Sequence, residues 1–360
     1  MPQQISIFDF IQYRQNRWGN GFYSLRRVRF SHTYNDIISI ENLLEAWEEF
    51  IEGKKSRVDV QKFGQDLMGN IIELHRDLAE KIYKHSPYEH FRINDPKPRD
   101  IHKACVRDRL LHRALYRKLY LFFDKTFIPD SYSCRLRKGT HKAIDRFRTF
   151  ARKESKNHTK TVWVLKCDVR KFFASVNQNI LKNIIREYIP DKDIVDLIDK
   201  IISSFYSVEK DIGLPLGNIT SQLLVNIYMN KFDQFVKHII KAKYYIRYAD
   251  DFVIFSSNKE WLENIIYRIR NFLWYELKLQ LHPNKVSICT VASGADYLGW
   301  INYPDYRILR TATKKRMFRR IYEVSGKIEV VQSYLGMISH GNSWKLINQI
   351  NTICEGNMLG

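Results

Sequence analysis

The sequence predicts an α+β fold, and three observations carry the prediction. Helical periodicity dominates residues 36–84, strand-like and helical runs then alternate from 161 to 303, and helical periodicity returns to the end of the chain. Two apolar, aromatic runs flank a short polar tip in YYIRYADDFVIFS (244–256), the pattern of a β-hairpin. No internal repeat or low-complexity linker divides the 360 residues, a length that allows two or three structural units.

Residues 1–35 are mixed and polar, with Arg14, Arg17, Arg26, Arg27 and Arg29. From 36 to 84, Ile40, Leu43, Leu44 and Trp47, and then Leu67, Ile71, Ile72, Leu74 and Leu78, recur mostly three or four positions apart, giving helices with one apolar side. HSPYEHFRINDPKPR (85–99) holds Pro87, Pro96 and Pro98, so a loop or short hairpin is expected there. Residues 106–123 read as a basic helix. TVWVLKCD (161–168) alternates as a strand and ends in Asp168; helical spacing follows in 177–187 and 191–205. The turn GLPLGN (213–218) opens a helix on which Ile219, Leu223, Ile227, Phe232, Phe235 and Ile239 mark one face, with Asn218 or Thr220 placed to cap it. After the hairpin come a helix at 260–278, a short strand at 286–289 and YLGWINY (297–303). The remainder, with Arg310, Lys314, Lys315, Arg316, Arg319 and Arg320, is basic and helical.

Composition narrows the function classes. Hydrophobic residues make up 44% and charged residues 27%, which excludes wholesale disorder. No apolar run approaches the ~18–20 residues of a membrane span, and the first residues lack an apolar signal core, so no membrane is expected. Five scattered cysteines, without a C-x-x-C pair, argue against a disulfide framework or zinc knuckle and for a reducing, cytoplasmic setting. Lys+Arg 59 against Asp+Glu 39 gives a net charge of +20. Residues 101–160 alone hold 17 basic and 5 acidic residues, interleaved with Tyr116, Tyr120, Phe122, Phe123 and Tyr132. Bases mixed with aromatic rings suit phosphate contact with base stacking, so the expected partner is a nucleic acid.

The chemistry concentrates at Asp168, Asp250 and Asp251, each beside apolar strand residues where an unpaired carboxylate is costly to bury. A partner cation answers that cost. Clustered oxygen ligands suit Mg²⁺, and two such ions activate an attacking hydroxyl and stabilise a leaving pyrophosphate. Asp168 and Asp250 stand 82 positions apart, so their proximity is an expectation about folding.

Tyr248-Ala249-Asp250-Asp251 resembles the Tyr-x-Asp-Asp box of reverse transcriptases, and Asp168-Val-Arg-Lys-Phe-Phe173 resembles their first catalytic motif. The resemblance spans about residues 90–320 in the family's motif order. It implies a right-hand polymerase with fingers, ferredoxin-like palm and short helical thumb. The corresponding division is 1–84 helical N-terminal region, 85–160 fingers, 161–303 palm with fingers elements interleaved near 205–245, and 304–360 thumb. It also implies deoxynucleoside triphosphates as substrates and two Mg²⁺ ions held by Asp168, Asp250, Asp251 and the Val169 backbone.

Further roles come by the same resemblance. Phe173 is the expected steric gate against a ribose 2′-hydroxyl, with ordinary core packing as the alternative. Arg99, with Arg92 or Lys97, matches the basic grip on the incoming triphosphate, for which a planar guanidinium is well shaped. Arg135 and Lys138, in SYSCRLRKGTHKAI (131–144), match template or triphosphate contacts, with plain surface charge as the alternative. Lys285 in LHPNKVSI matches a lysine near the pyrophosphate and is a candidate general acid. Tyr248 is expected under the primer end. Tyr297-Leu298-Gly299-Trp300 resembles the primer grip, with a plain hairpin as the alternative.

GLPLGNITSQ (213–222) sorts the subfamily. Many reverse transcriptases have Gln before the second glycine and Pro after the serine; here Leu216 precedes Gly217, and Gln222 follows Ser221. This is the pattern of the enzymes of diversity-generating retroelements. The resemblance implies a template-repeat RNA copied into cDNA with errors opposite adenines, and an oligomeric, basic accessory variability determinant protein as partner. Gly217 and Leu216 are then expected at the nucleotide and Gln222 near the template or primer. The alternatives are a defence-associated, CRISPR-linked or group II-like reverse transcriptase of ordinary fidelity and, outside the class, a non-catalytic RNA-binding scaffold.

Overall fold

The computed structural model describes residues 29–94, 97–324 and 327–358, so Arg14, Arg17, Arg26 and Arg27 lie outside the described residues. The chain first builds a helical layer. Thr33 and Asp36 close a reciprocal capping box at α1 (Tyr34–Ile38), the Thr33 N–H donating to Asp36 Oδ2 at 2.7 Å. α2 (Ile40–Ile51) follows, then α3 (Val58–Gln65) and α4 (Leu67–Ala79). α2 buries Leu43, Ala46, Trp47 and Phe50, and packs against α5 (Val106–Phe123). The proline-rich segment before α5 is a hairpin, β1 (Glu89–Ile93) against β2 (Arg99–Lys103), antiparallel with Ile93 opposite Arg99. α6 (Thr140–Glu154) completes this half.

A four-stranded antiparallel sheet forms the centre. Its strands are β3 (Trp163–Asp168), β4 (Tyr244–Tyr248), β5 (Asp251–Ser256) and β6 (Ser287–Thr290), in spatial order β4-β5-β3-β6. Between β3 and β4 run α7 (Phe172–Ser175), α8 (Gln178–Arg186), α9 (Lys192–Ser203) and α10 (Ile219–Gln234), the last prolonged by a π-helical turn at Phe235–Ile239; α11 (Lys259–Leu277) joins β5 to β6. This β-α-β-β-α-β order with a 2-3-1-4 sheet fits a ferredoxin-like arrangement. Alternation along the strands assigns the faces. Leu165, Cys167, Tyr245, Phe252 and Ile254 pack with α10 and α11, while Val164, Tyr244, Ile246, Val253 and Phe255 pack with α6. Both faces are covered, so the strands read as nearly continuous apolar runs.

α10 departs from the expected one-faced helix. It is buried all round, including Asn226, Asn230 and Asp233, because α5, α8, α11 and, through Phe232 on Phe252, the sheet enclose it. Its start also differs: Asn218 occupies the cap position without a side-chain cap bond, and its amide donates instead to the His102 carbonyl at 2.9 Å. The Thr220 hydroxyl meets His112 Nδ1 at 3.3 Å rather than a helix N–H.

A second small antiparallel sheet follows, β7 (Ala295–Tyr297), β8 (Trp300–Asn302) and β9 (Arg307–Leu309). α12 (Thr311–Glu323), α13 (Ile328–Ile338) and α14 (Trp344–Met358) then enclose a separate cluster of Trp300, Met317, Ile321, Val331, Ile338 and Ile350. Among the described residues no helix is long and apolar enough to cross a membrane.

Candidate active site

Strand register brings the three acids together. Asp168, the last residue of β3, pairs with Asp251, the first residue of β5. Antiparallel partners lie about 4.5–5.5 Å apart between Cα atoms, so the 82-residue gap closes through the sheet. Ala249 and Asp250 form the tip between β4 and β5, and the Val169 N–H donates to the Asp250 carbonyl at 3.1 Å, pinning the tip to the end of β3. Ala249 has φ +55, a left-handed conformation that a non-glycine residue adopts at roughly 1–2 kcal/mol. Behind Asp168, the His282 N–H donates to its carbonyl at 2.7 Å, and Lys285 Nζ donates to its Oδ1 at 2.9 Å.

The carboxylates carry unmet charge. Burial, and then the neighbouring Asp168, raise the pKa of Asp250, while Lys285 and Arg99 pull it down. Burial pushes Asp251 up to about 7; Lys166 opposes this, and Asp168, Asp250 and Asp296 add to it. Asp251 Oδ1 is buried with no hydrogen-bond partner. Lys166 Nζ lies 3.9 Å from Asp251 Oδ2 and 3.8 Å from Asp296 Oδ1, too far for a hydrogen bond to either. Among the described residues no three His, Cys, Asp or Glu side chains form a closed metal cage. The acids line one end of the sheet instead. Crowded carboxylates with an orphaned oxygen fit a hard divalent cation that draws its remaining ligands from water and substrate phosphates.

A family model for reverse transcriptase (RNA-dependent DNA polymerase) matches residues 91–302, from the β1–β2 hairpin through β8 and across all three acids. The chain belongs to the reverse transcriptase family. The COX1/OXI3 intron 2 protein of Saccharomyces cerevisiae is 22% identical over 358 aligned residues, covering 80% of this chain and 40% of its own. Protein YkfC of Escherichia coli is 28% identical, covering 56% of this chain and 62% of its own. The group II intron-encoded protein LtrA of Lactococcus lactis is 23% identical, covering 71% and 52%. The chain thus spans between two fifths and about three fifths of the length of these relatives. Members of the family work with divalent cations and deoxynucleoside triphosphates.

Several of the residues expected on the nucleotide side lie on segments joined by backbone hydrogen bonds. Arg99 opens β2, and its charge is felt at Asp250. Arg92 sits opposite Asp100 on the same hairpin, and Lys97 lies in its connection; both are exposed. The turn 213–218 is stitched between that hairpin and α7. The His102 N–H donates to the Leu216 carbonyl at 3.0 Å, and the Leu214 N–H donates to the Phe173 carbonyl at 2.8 Å. Phe173 is half-buried, its ring edge-on to Phe172 at 5.6 Å, and Leu216 is half-buried too. Gly217 has φ +118, and a Cβ there would lie 2.9 Å from Ile101 Cγ2. Gly217→Ala is therefore expected to lower stability by about 1–3 kcal/mol, a backbone-strain effect measured by chemical denaturation. Gln222 is half-buried in the first turn of α10, and the Tyr248 hydroxyl accepts from Thr140 Oγ1 at 3.1 Å.

Other expected contacts are redirected. Arg135 is turned inward: Nε donates to Asp124 Oδ1 at 2.7 Å, Nη1 to the Ile128 and Ser131 carbonyls, and Nη2 to the Asp124 carbonyl. Its side chain is only 6% exposed, so it braces its own loop. Lys138 is likewise held, donating to the Pro129 carbonyl at 2.6 Å over the Tyr132 ring. In the expected primer grip, Tyr297 and Trp300 are buried in the two flanking cores. Between them the Leu298-Gly299 turn, with φ +49 and +87, is half-buried, and Leu298 packs against both cores.

The sequence reading missed four residues. Lys166 and Asp296 surround Asp251; Lys166 stands two positions before Asp168 on the same strand face, a signal available in the pattern. Arg247 and Asp233 form a fully buried ion pair beneath the hairpin tip, with Nε and Nη2 each 2.7 Å from a carboxylate oxygen.

Proposed function

We propose that the chain is an RNA-directed DNA polymerase acting by two-metal nucleotidyl transfer with Mg²⁺. The in-register pairing of Asp168 with Asp251, with Asp250 at the adjoining tip, carries the reading. Bound there, the ions would promote ionisation of the primer 3′-hydroxyl and neutralise charge on the departing pyrophosphate. In this reading Arg99 orients the triphosphate, Phe173 and Leu216 shape the nucleotide pocket, and Lys285 gives a proton to the pyrophosphate. The template is RNA and the product cDNA. Residues 85–160, with elements near 205–245, serve as fingers, 161–303 as palm and 304–360 as thumb. The bonds from the 213–218 turn to β2 support that interleaving. The test is extension of a DNA primer on an RNA template with Mg²⁺. Incorporation is the expected result, and a purified, folded chain that binds the template without extending the primer would leave only an RNA-binding scaffold.

We further propose a diversity-generating retroelement as the setting, with a template-repeat RNA, adenine-directed errors and a basic accessory variability determinant protein. Leu216 and Gln222 in GLPLGNITSQ support this reading. An apolar side chain at 216 offers the nascent pair no hydrogen bond, and apolar contacts discriminate by only about 1–3 kcal/mol. The group II intron-encoded relative favours a second reading, a group II-like enzyme of ordinary fidelity. Sequencing cDNA made by Leu216→Gln separates the two. The retroelement reading expects misincorporation opposite adenine to fall by about tenfold, within the range of such discrimination; an unchanged error spectrum counts against it.

A further inference from the structure

The acids occupy one side of the sheet end, and a second polar constellation lies on the other. Along β4, Tyr245 packs toward α10, and by strand alternation Arg247 points the same way, while Asp251 shares the parity of Val253 and Phe255 on the α6 face. Arg247 is fully buried, yet each of its five N–H groups has an acceptor. Nε meets Asp233 Oδ1 and Nη2 meets Asp233 Oδ2, both at 2.7 Å; Nη2 also reaches Ser131 Oγ at 3.2 Å. Nη1 divides between Asn226 Oδ1 at 3.3 Å and the Ala249 carbonyl at 3.1 Å. The Tyr245 hydroxyl donates to Asp233 Oδ1 at 2.7 Å, and the Asn226 amide donates to the Ser133 carbonyl at 2.9 Å. One guanidinium thereby joins α10, the 131–133 loop and the catalytic turn.

The bond from Nη1 to the Ala249 carbonyl acts on the turn itself. The Ala249 carbonyl belongs to the peptide that leads into Asp250, and Ala249 holds a left-handed backbone that alanine does not prefer. A buried ion pair contributes little net stability compared with apolar residues of the same volume, so stability alone does not explain this one. We propose that Arg247, anchored by Asp233, is a positioning residue that fixes the Ala249–Asp250 peptide and so aims the Asp250 carboxylate for the metal-dependent step. The proposal rests on the polymerase reading and deepens it. A planar fork is needed because the ion pair takes one edge and the turn carbonyl a different nitrogen; a lysine ammonium has no second arm.

Two variants test this. Arg247→Lys keeps a cation beside Asp233 but loses the reach to Ala249. The double variant Arg247→Met with Asp233→Leu removes both buried charges, leaving neither uncompensated. Single-nucleotide incorporation on an RNA template–DNA primer duplex gives kcat, KM for the nucleotide and the half-saturating Mg²⁺ concentration, with circular dichroism and melting as fold controls. The expected result, in a variant that melts like the unaltered chain, is a kcat at least tenfold lower, KM within twofold, and a half-saturating Mg²⁺ concentration raised at least threefold. An unchanged kcat in a folded variant overturns the proposal, as does a change confined to KM. Failure of both variants to fold also overturns it, because Arg247 would then be a folding element. Incorporation by the unaltered chain in the same assay tests the polymerase reading separately, so the two outcomes remain distinguishable.

Discussion

Asp250→Asn is expected to lower primer extension by at least on the order of 10³-fold, equivalent to about 4 kcal/mol of transition-state stabilisation, while RNA binding persists. The substitution keeps the side-chain volume and removes one negative charge from the place where the cations would be held. Stability supplies the control. Burial and the nearby Asp168 raise the Asp250 pKa, so the folded state disfavours its charged form. A neutral amide relieves that repulsion, and the variant should melt no lower than the unaltered chain. Template binding draws on the basic surface, which the change leaves intact. Synthesis surviving in Asp250→Asn would remove that residue from the metal site; lost synthesis with a lowered melting temperature would point to damaged folding instead.

Phe252→Ala is the second large effect. Phe252 follows Asp251 on β5, is fully buried, and packs on Phe232 at 5.0 Å and Tyr245 at 6.1 Å between ring centroids. Truncating a buried phenylalanine at such a site removes transfer energy and leaves a cavity, together about 3–5 kcal/mol. The cavity opens between α10 and the sheet, on the face opposite the acids. Denaturant titration should show a lower midpoint with an unchanged slope. Activity at low temperature, where the variant stays folded, should fall far less than in Asp250→Asn. A midpoint within the range of a surface substitution would show that the site collapses around the missing ring.

Where local pattern decides structure, the sequence was legible. The three- and four-residue spacing from Val106 to Phe123 coincides with α5 at both ends, because the apolar periodicity runs unbroken between them. The β4–β5 hairpin was legible for a similar reason: two apolar runs and a polar tip permit little else. The acids could be singled out by their apolar strand context and by resemblance to a known family, but the pairing of Asp168 with Asp251 is a long-range event that periodicity does not encode. The inward turn of Arg135 was not legible because a basic loop looks alike whether its guanidinium points out or in; its carboxylate partner, Asp124, lies 11 positions back. α10 was misread for a related reason. Asn226, Asn230 and Asp233 look like a solvent face until the neighbours that satisfy them are known, and Arg247, the partner of Asp233, arrives on another element 14 positions later.

The docking of the 213–218 turn on β2 has an evolutionary consequence. The tie at position 216 runs through the main-chain carbonyl, which accepts from His102, and leaves the leucine side chain out of the bond. Selection can therefore exchange that side chain without unfastening the loop or shifting the strand that carries Arg99. On the proposed reading, copying accuracy would drift by single substitutions on a fixed frame, while Asp168 and Asp251 stay locked in strand register.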